Sequence, residues 1–210
     1  SKRAYGFYQG TWGSASTFCS SSCPSAGMDS GGYILAVEQS TPAFPVIFQN
    51  GAWVTNPAPS ATLRWGSNTN IVYEVISSKV QALYNGVWSV TGPSSGSITD
   101  WGSSGIDMAA VLDEFNNFAY GFYQGAWVPK STSLSNLDVG KSIAVVWDVG
   151  GSDVIYVFDR GVWNPSPPSW TSMVKLDVGE DAAALWVDGT SFVGGYYDGQ
   201  FILSPPISGP

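Results

Sequence analysis

The chain has 210 residues, enough for one domain with a full core, and its 44% hydrophobic content excludes a disordered chain. Charged residues make up only 11%, against ~25% in ordinary soluble domains. The net charge of −8 comes without any basic run, which argues against nucleic acid, anionic membrane surfaces and strongly anionic glycans as partners.

The elements repeat along the chain. The first is the aromatic segment Ala4-Tyr-Gly-Phe-Tyr-Gln-Gly-Thr-Trp12. A Ser-rich loop follows, carrying the only two cysteines, Cys19 and Cys23. Then come a segment ending in Gly (Met28-Asp-Ser-Gly31), an apolar run (Tyr33–Val37) and a second aromatic copy, Phe48-Gln-Asn-Gly-Ala-Trp53. The same trio recurs as Leu63-Arg-Trp-Gly66, Ile71–Val75 and Leu83-Tyr-Asn-Gly-Val-Trp88, and as Thr99-Asp-Trp-Gly102, Met108–Leu112 and Ala119-Tyr-Gly-Phe-Tyr-Gln-Gly-Ala-Trp127. It returns as Leu137-Asp-Val-Gly140, Ile143–Trp147 and Phe158-Asp-Arg-Gly-Val-Trp163, and finally as Leu176-Asp-Val-Gly179, Ala182–Trp186 and Tyr196-Tyr-Asp-Gly-Gln-Phe201. The aromatic copies end at 12, 53, 88, 127, 163 and 201, with intervals of 41, 35, 39, 36 and 38 residues.

Each piece reads as strand. Runs such as Ile143-Ala-Val-Val-Trp147 are short and apolar throughout, as expected of strands with two dry faces. Asn-Gly and Asp-Gly between the aromatic strand and the Trp strand supply the positive φ angles of a two-residue hairpin. The glycines read as turn glycines at the repeat period. No segment keeps a helical apolar period beyond two turns before Gly, Pro or a Ser/Thr cluster intervenes. The unit, written as apolar run, aromatic strand, Trp strand and Gly-ending strand, is four-stranded and about 36 residues long. Such units predict an all-β fold, a β-propeller of six short four-stranded blades whose first and last members are incomplete. Residues 1–210 then form a single domain, because one blade cannot bury both its faces alone. A β-prism, a barrel and a β-solenoid are the competing folds.

The chemistry on offer is narrow. There is no His, hence no triad or His metal ligand, and two cysteines alone do not make a zinc site. Neither a cofactor nor a metal is expected. The Asp column Asp29, Asp100, Asp138 and Asp177 recurs once per unit, which suits a turn or strand-end role. A sialidase is disfavoured, since Arg3, Arg64 and Arg160 do not share one place in the repeat and the Asp-box pattern is missing. Glu38, Glu74, Asp113, Glu114 or Asp148 could supply a glycosidase pair, but nothing singles one out. What remains is an aromatic residue, a small polar residue and Gly at each turn, followed by Trp. Sugars stack their C–H faces on such rings and bond through neutral polar groups. The Trp column also reads as inter-blade core.

The segments Ala183-Ala-Leu-Trp186 and Asn70-Ile-Val-Tyr73 and the Gly-X-Trp endings, best of all Ala61 through Trp88, resemble the six-bladed lectins of the Aleuria type, fungal and bacterial propellers that bind fucose. The Leu-Asp-Val-Gly strand resembles the tachylectin-type propellers, which bind N-acetyl sugars. In the Aleuria-type family the sugar is held by an Arg, a Glu and the Trp of Gly-X-Trp. Only the Trp carries over, to Trp12, Trp53, Trp88, Trp127 and Trp163, with Phe201 in the last copy. The Arg is absent after Ile71, and the Glu column reads Tyr5, Val46, Gln81, Tyr120, Tyr156 and Gly194.

These readings lead to a non-catalytic, multivalent lectin for neutral glycans, with Trp12, Trp53, Trp88, Trp127, Trp163, Tyr8, Tyr84, Tyr123 and Gln81 as the sugar-binding residues. The alternative is a structural or protein-interaction propeller without sugar binding, and a glycosidase comes third. A Cys19–Cys23 disulfide is expected in place of two free thiols, which would favour a secreted or extracellular setting. Neither a signal peptide nor membrane insertion is expected. The sequence does not specify the oligomeric state.

Overall fold

The structure is a computed structural model. It describes residues 5–14, 28–31, 34–40, 43–55, 66–67, 72–76, 79–89, 92–93, 98, 100–102, 108–133, 135–147, 154–167, 173–179, 181–187 and 193–204. Cys19 and Cys23, and with them the expected disulfide, lie outside these residues. The described residues form strands, turns and short connecting loops, without a helix.

The chain divides into two compact units, Ser1–Gly96 and Ser97–Pro210. The first unit opens with a two-stranded sheet, β1 (Tyr5–Tyr8) and β2 (Thr11–Ser14). The second sheet is β3 (Met28–Gly31), β4 (Ile34–Ser40), β5 (Ala43–Gln49) and β6 (Ala52–Thr55); the third is β7 (Gly66–Ser67), β8 (Val72–Ile76), β9 (Lys79–Tyr84) and β10 (Val87–Trp88). The second unit holds a fourth sheet, β11 (Asp100–Gly102), β12 (Met108–Asp113), β13 (Phe118–Tyr123) and β14 (Ala126–Ser131). The fifth sheet is β15 (Asn136–Val139), β16 (Ile143–Trp147), β17 (Tyr156–Asp159) and β18 (Val162–Pro165). The sixth is β19 (Met173–Val178), β20 (Ala182–Val187), β21 (Val193–Tyr197) and β22 (Gln200–Leu203). Every described pairing is antiparallel between sequence neighbours, the meander of a propeller blade. The chain therefore has the all-β, bladed architecture that its repeat predicts.

One expectation is corrected. The Gly-ending strand opens each four-stranded sheet, as where β15 pairs with β16, and does not close the sheet before it. With this phase the sheet ending at Leu203 has all four strands, so the last blade is not incomplete. Periodicity gives the repeat length but not its starting point, because a strand placed between two apolar runs can pair with either. Five sheets of four strands and one of two, among the described residues, now account for the six aromatic hairpins and five apolar runs.

The apolar runs are the inner strands. All six residues of β12 are buried, as are Ile143–Val146 of β16. In the second unit β12 lies against β16, and β16 against β19, so both faces of β16 are dry. Hairpin turns behave as read: Asn85-Gly86 and Asp198-Gly199 have positive φ at both residues, and so do Gln9-Gly10, Asn50-Gly51, Gln124-Gly125 and Arg160-Gly161.

Not every glycine is a turn glycine. Gly121 lies inside β13, and a Cβ there would come 2.6 Å from atoms of the Phe158 ring in the next sheet. Gly6 receives the ring of Phe48 in the same way. The equivalent positions Ile47 and Val157 carry side chains and face Leu83 and Tyr196, respectively. Each seam thus joins a socket residue in one sheet to a knob residue in the next, and the bare glycine sockets take phenylalanine rings. A further recurrent feature is a serine clasp past the outer strand. Ser89, Ser166 and Ser204 each donate a backbone N–H to the carbonyl of Ala82, Ile155 and Val193, and accept that residue's N–H through Oγ.

Candidate functional site

Within each unit the two-residue turns bring one polar or aromatic side chain per sheet to a shared rim. In the first unit the Tyr8 ring lies against Gly51 of the next turn, and Gln49 Oε1 accepts the Gly86 N–H at 2.8 Å. In the second unit the Tyr123 ring lies against Gly161, and Arg160 reaches Asp198. Each pre-turn or turn residue therefore holds the following turn.

Between the fifth and sixth sheets this rim opens into a cleft of about 230 Å³, lined by Ser142, Asp159, Arg160, Asp181, Tyr197 and Asp198. Asp159 and Arg160 come from the end of β17 and its turn, Tyr197 and Asp198 from β21 and its turn. Ser142 and Asp181 come from the loops ahead of β16 and β20. The Arg160 guanidinium bonds Asp159 at 3.2 Å and Asp198 at 2.9 Å, and both carboxylates hold it in the charged state, its pKa raised above the ordinary arginine value. Asp159 is buried, and its Oδ2 also accepts the Tyr196 hydroxyl at 3.0 Å. Asn164 Nδ2 in turn donates to the Tyr196 oxygen at 3.0 Å. Burial first, then the Asp159 charge and hydrogen bond, push the Tyr196 phenol well above its ordinary pKa. Asp181 accepts the Ser142 hydroxyl at 2.7 Å. The Tyr197 ring, by contrast, is 59% exposed at the mouth. Three carboxylates against one guanidinium leave the cleft at a formal −2.

A second cleft of about 390 Å³ lies at the opposite end of the fourth and fifth sheets, lined by Asn117, Ser131, Thr132, Ser133 and Tyr156. Lys130 Nζ sits 4.0 Å from the centre of the Tyr156 ring. Among the described residues no cluster of His, Cys, Asp and Glu has the arrangement of a metal site.

The residues singled out in the sequence fall elsewhere. Trp53, Trp127 and Trp163 are half-buried, each tilted against the aromatic residue opposite it, Phe48, Phe122 and Phe158, at 4.9 to 5.1 Å. Trp163 donates its indole N–H to Val128 O in the preceding sheet at 3.0 Å, and the indole nitrogens of Trp53 and Trp88 are buried. These rings turn their polar edge inward. Trp12 is different: it packs on Phe7 yet remains 67% exposed. Tyr8, Tyr84 and Tyr123 are half-buried, as is Gln81 on β9. None of the nine lines either cleft. The residues that do line the first cleft carried one sequence signal: the pair ahead of the turn glycine, Tyr followed by a polar residue in four copies and Gln49-Asn50 in a fifth, is the doubly charged Asp159-Arg160 ahead of Gly161.

No family model matches the chain, and no curated protein matches it. Solved structures similar to it in part include the CRINKLY WD40 ectodomain of the Arabidopsis thaliana receptor kinase ACR4, at 13% identity over 85% of this chain and 65% of that one, with a TM-score of 0.45. The computationally designed Ika8 protein matches at 12% identity over 83% and 59%, with a TM-score of 0.41, and Kluyveromyces lactis Hsv2 at 11% over 81% and 58%, also 0.41. The chain spans about 60% of the length of these structures. None of these likenesses bears on what the present chain binds.

Proposed function

We propose that the chain is a non-catalytic glycan-binding propeller module whose best-formed site is the cleft at the Arg160 turn. The observation that carries this reading is an exposed tyrosine ring, Tyr197, set beside a fixed Asp159–Arg160–Asp198 fork. A pyranose can lay its apolar face on the ring while neighbouring hydroxyls donate to carboxylate oxygens and accept from the guanidinium. The fork needs little ordering on binding, because the Asn164–Tyr196–Asp159 chain already fixes its inner half. Each carboxylate of the cleft already accepts a hydrogen bond, which suits holding hydroxyls and not delivering a proton. The formal −2 disfavours acidic sugars and supports a neutral ligand. One small cleft binds weakly, and useful affinity then comes from multivalent display.

The test is binding of the intact chain to a glycan array, followed by calorimetric titration of the best neutral glycan into wild type, Tyr197→Ala and Arg160→Ala. Tyr197 is exposed, so Tyr197→Ala should keep the melting temperature while affinity falls at least about tenfold. Arg160→Ala should lose affinity too and also lower the melting temperature, because it strips the buried Asp159 carboxylate of its counter-charge. An array silent to neutral glycans overturns the reading. The protein-interaction alternative draws on Val87 and Val162, apolar side chains 70% and 57% exposed just after two rim turns. It predicts a protein partner, no sugar response, and loss of that partner in Val87→Asp or Val162→Asp.

A further inference from the structure

Asparagine followed by glycine occurs twice in the chain, at Asn50-Gly51 and Asn85-Gly86, and each pair forms the turn of a hairpin in the first unit. Such a pair is chemically reactive, because glycine has no Cβ to shield its backbone nitrogen from the asparagine amide carbon beside it. That nitrogen, once it gives up its proton, attacks Asn Cγ; the new N–C bond forms and the side-chain nitrogen leaves as ammonia. Water then opens the cyclic imide at either carbonyl, leaving aspartate or isoaspartate.

The two turns offer this chemistry the same backbone but different neighbours. φ is 50° at Asn50 and 48° at Asn85, then 81° at Gly51 and 79° at Gly86, so conformation does not separate them. All four residues are exposed. What separates them is the residue that precedes the turn in the sheet before. For Gly86 that residue is Gln49, whose Oε1 accepts the Gly86 N–H at 2.8 Å. Gln49 is only 2% exposed, so the acceptor is held in place. For Gly51 the corresponding residue is Tyr8. Its ring lies against the glycine, 3.6 Å from where a Cβ would stand, and brings no amide oxygen. Among the described residues no acceptor takes the Gly51 N–H.

We infer that Asn50 is a site of spontaneous deamidation and that the Gln49 side chain protects Asn85 from the same reaction. The Gln49 hydrogen bond stabilises the protonated Gly86 nitrogen, and the anion needed for attack would face the Oε1 lone pairs at close range. Gly51 has no such restraint. One ordinary hydrogen bond corresponds to a rate difference of about fivefold. The modification changes the molecule in two ways. Aspartate adds a negative charge to the exposed turn. Isoaspartate lengthens the backbone of a two-residue loop whose flanks pair Gln49 with Ala52 and Phe48 with Trp53.

The test incubates the folded full chain in mildly alkaline buffer and follows aspartate and isoaspartate at each site by peptide mapping and mass spectrometry. Asn50 should be modified at least about fivefold faster than Asn85, whereas in the urea-unfolded chain the two rates should converge. Gln49→Met removes the acceptor at nearly constant volume and should raise the Asn85 rate toward that of Asn50. Tyr8→Gln places an amide ahead of Gly51 and should slow Asn50. The second variant alters a different turn, so it tests the same protection even where Gln49→Met fails to fold. Equal rates at the two sites in folded wild type overturn the inference. So does a Gln49→Met chain that melts like wild type yet keeps Asn85 slow, and so does an unchanged Asn50 rate in folded Tyr8→Gln.

Discussion

Replacing Gly121 with Ala puts a methyl group 2.6 Å from three atoms of the Phe158 ring, where ordinary contact is nearer 3.5–4.0 Å. Phe158 has no exposed surface and is packed with Leu112, Ala144 and Val146 in one core, so the ring has nowhere to retreat. Overpacking of this kind costs ~1–3 kcal/mol, or about 2–12 °C in melting temperature for a chain of this size. Phe158→Leu alone leaves a void and should cost ~1–2 kcal/mol. The double variant should be more stable than the sum of the two losses implies by at least ~1 kcal/mol, since leucine vacates the space that the alanine methyl takes. The Ile47–Leu83 seam shows that the repeat accepts a larger socket with a smaller knob. The assay is urea unfolding of wild type, the two single variants and the double variant, followed by tryptophan fluorescence. Strictly additive losses would refute the knob-and-socket description of the seams.

Further outcomes follow from other parts of the structure. Trp127→Ala should cost ~3 kcal/mol, because the half-buried ring packs on Phe122, whereas Trp12→Ala, measured in dilute solution where the ring is exposed, should cost less than ~1 kcal/mol; thermal melts compare the two. Tyr196 has a folded pKa above its ordinary 10.0, so its stabilising effect is complete below about pH 10 and is lost as the pH rises further. Urea midpoints should therefore fall above pH 10, and Tyr196→Phe should make that fall shallower while lowering stability at neutral pH by ~1–2 kcal/mol through the hydrogen bond lost to Asp159. Thiol titration of the unfolded, unreduced chain should find no free thiol at Cys19 and Cys23; two free thiols would remove the argument for an oxidising compartment.

The strands were legible because their signals are local. Ile143–Trp147 is apolar along its whole length, and Asn85-Gly86 can hardly be anything but a tight turn, so composition and spacing were enough. The phase of the repeat was not legible, since the choice of pairing partner for Asn136–Val139 depends on hydrogen bonds that sequence does not display. Nor were the sockets: Gly121 is explained by Phe158, 37 positions further on, and by itself it looks like one more turn glycine. The tryptophans were visible at once, but whether a ring faces solvent or a seam depends on the neighbouring sheet, which is why Trp12 and Trp127 differ despite near-identical surroundings in sequence. The cleft was the hardest to see, because its six lining residues come from four separate turns and only Asp159-Arg160 departs from the repeat.

Whether the Arg160 turn binds sugar is measured most directly by calorimetric titration of an array-selected neutral glycan into wild type and Tyr197→Ala. Saturable binding by wild type, lost or weakened at least about tenfold in Tyr197→Ala at an unchanged melting temperature, is the predicted result. Equal affinity in the two proteins would contradict it.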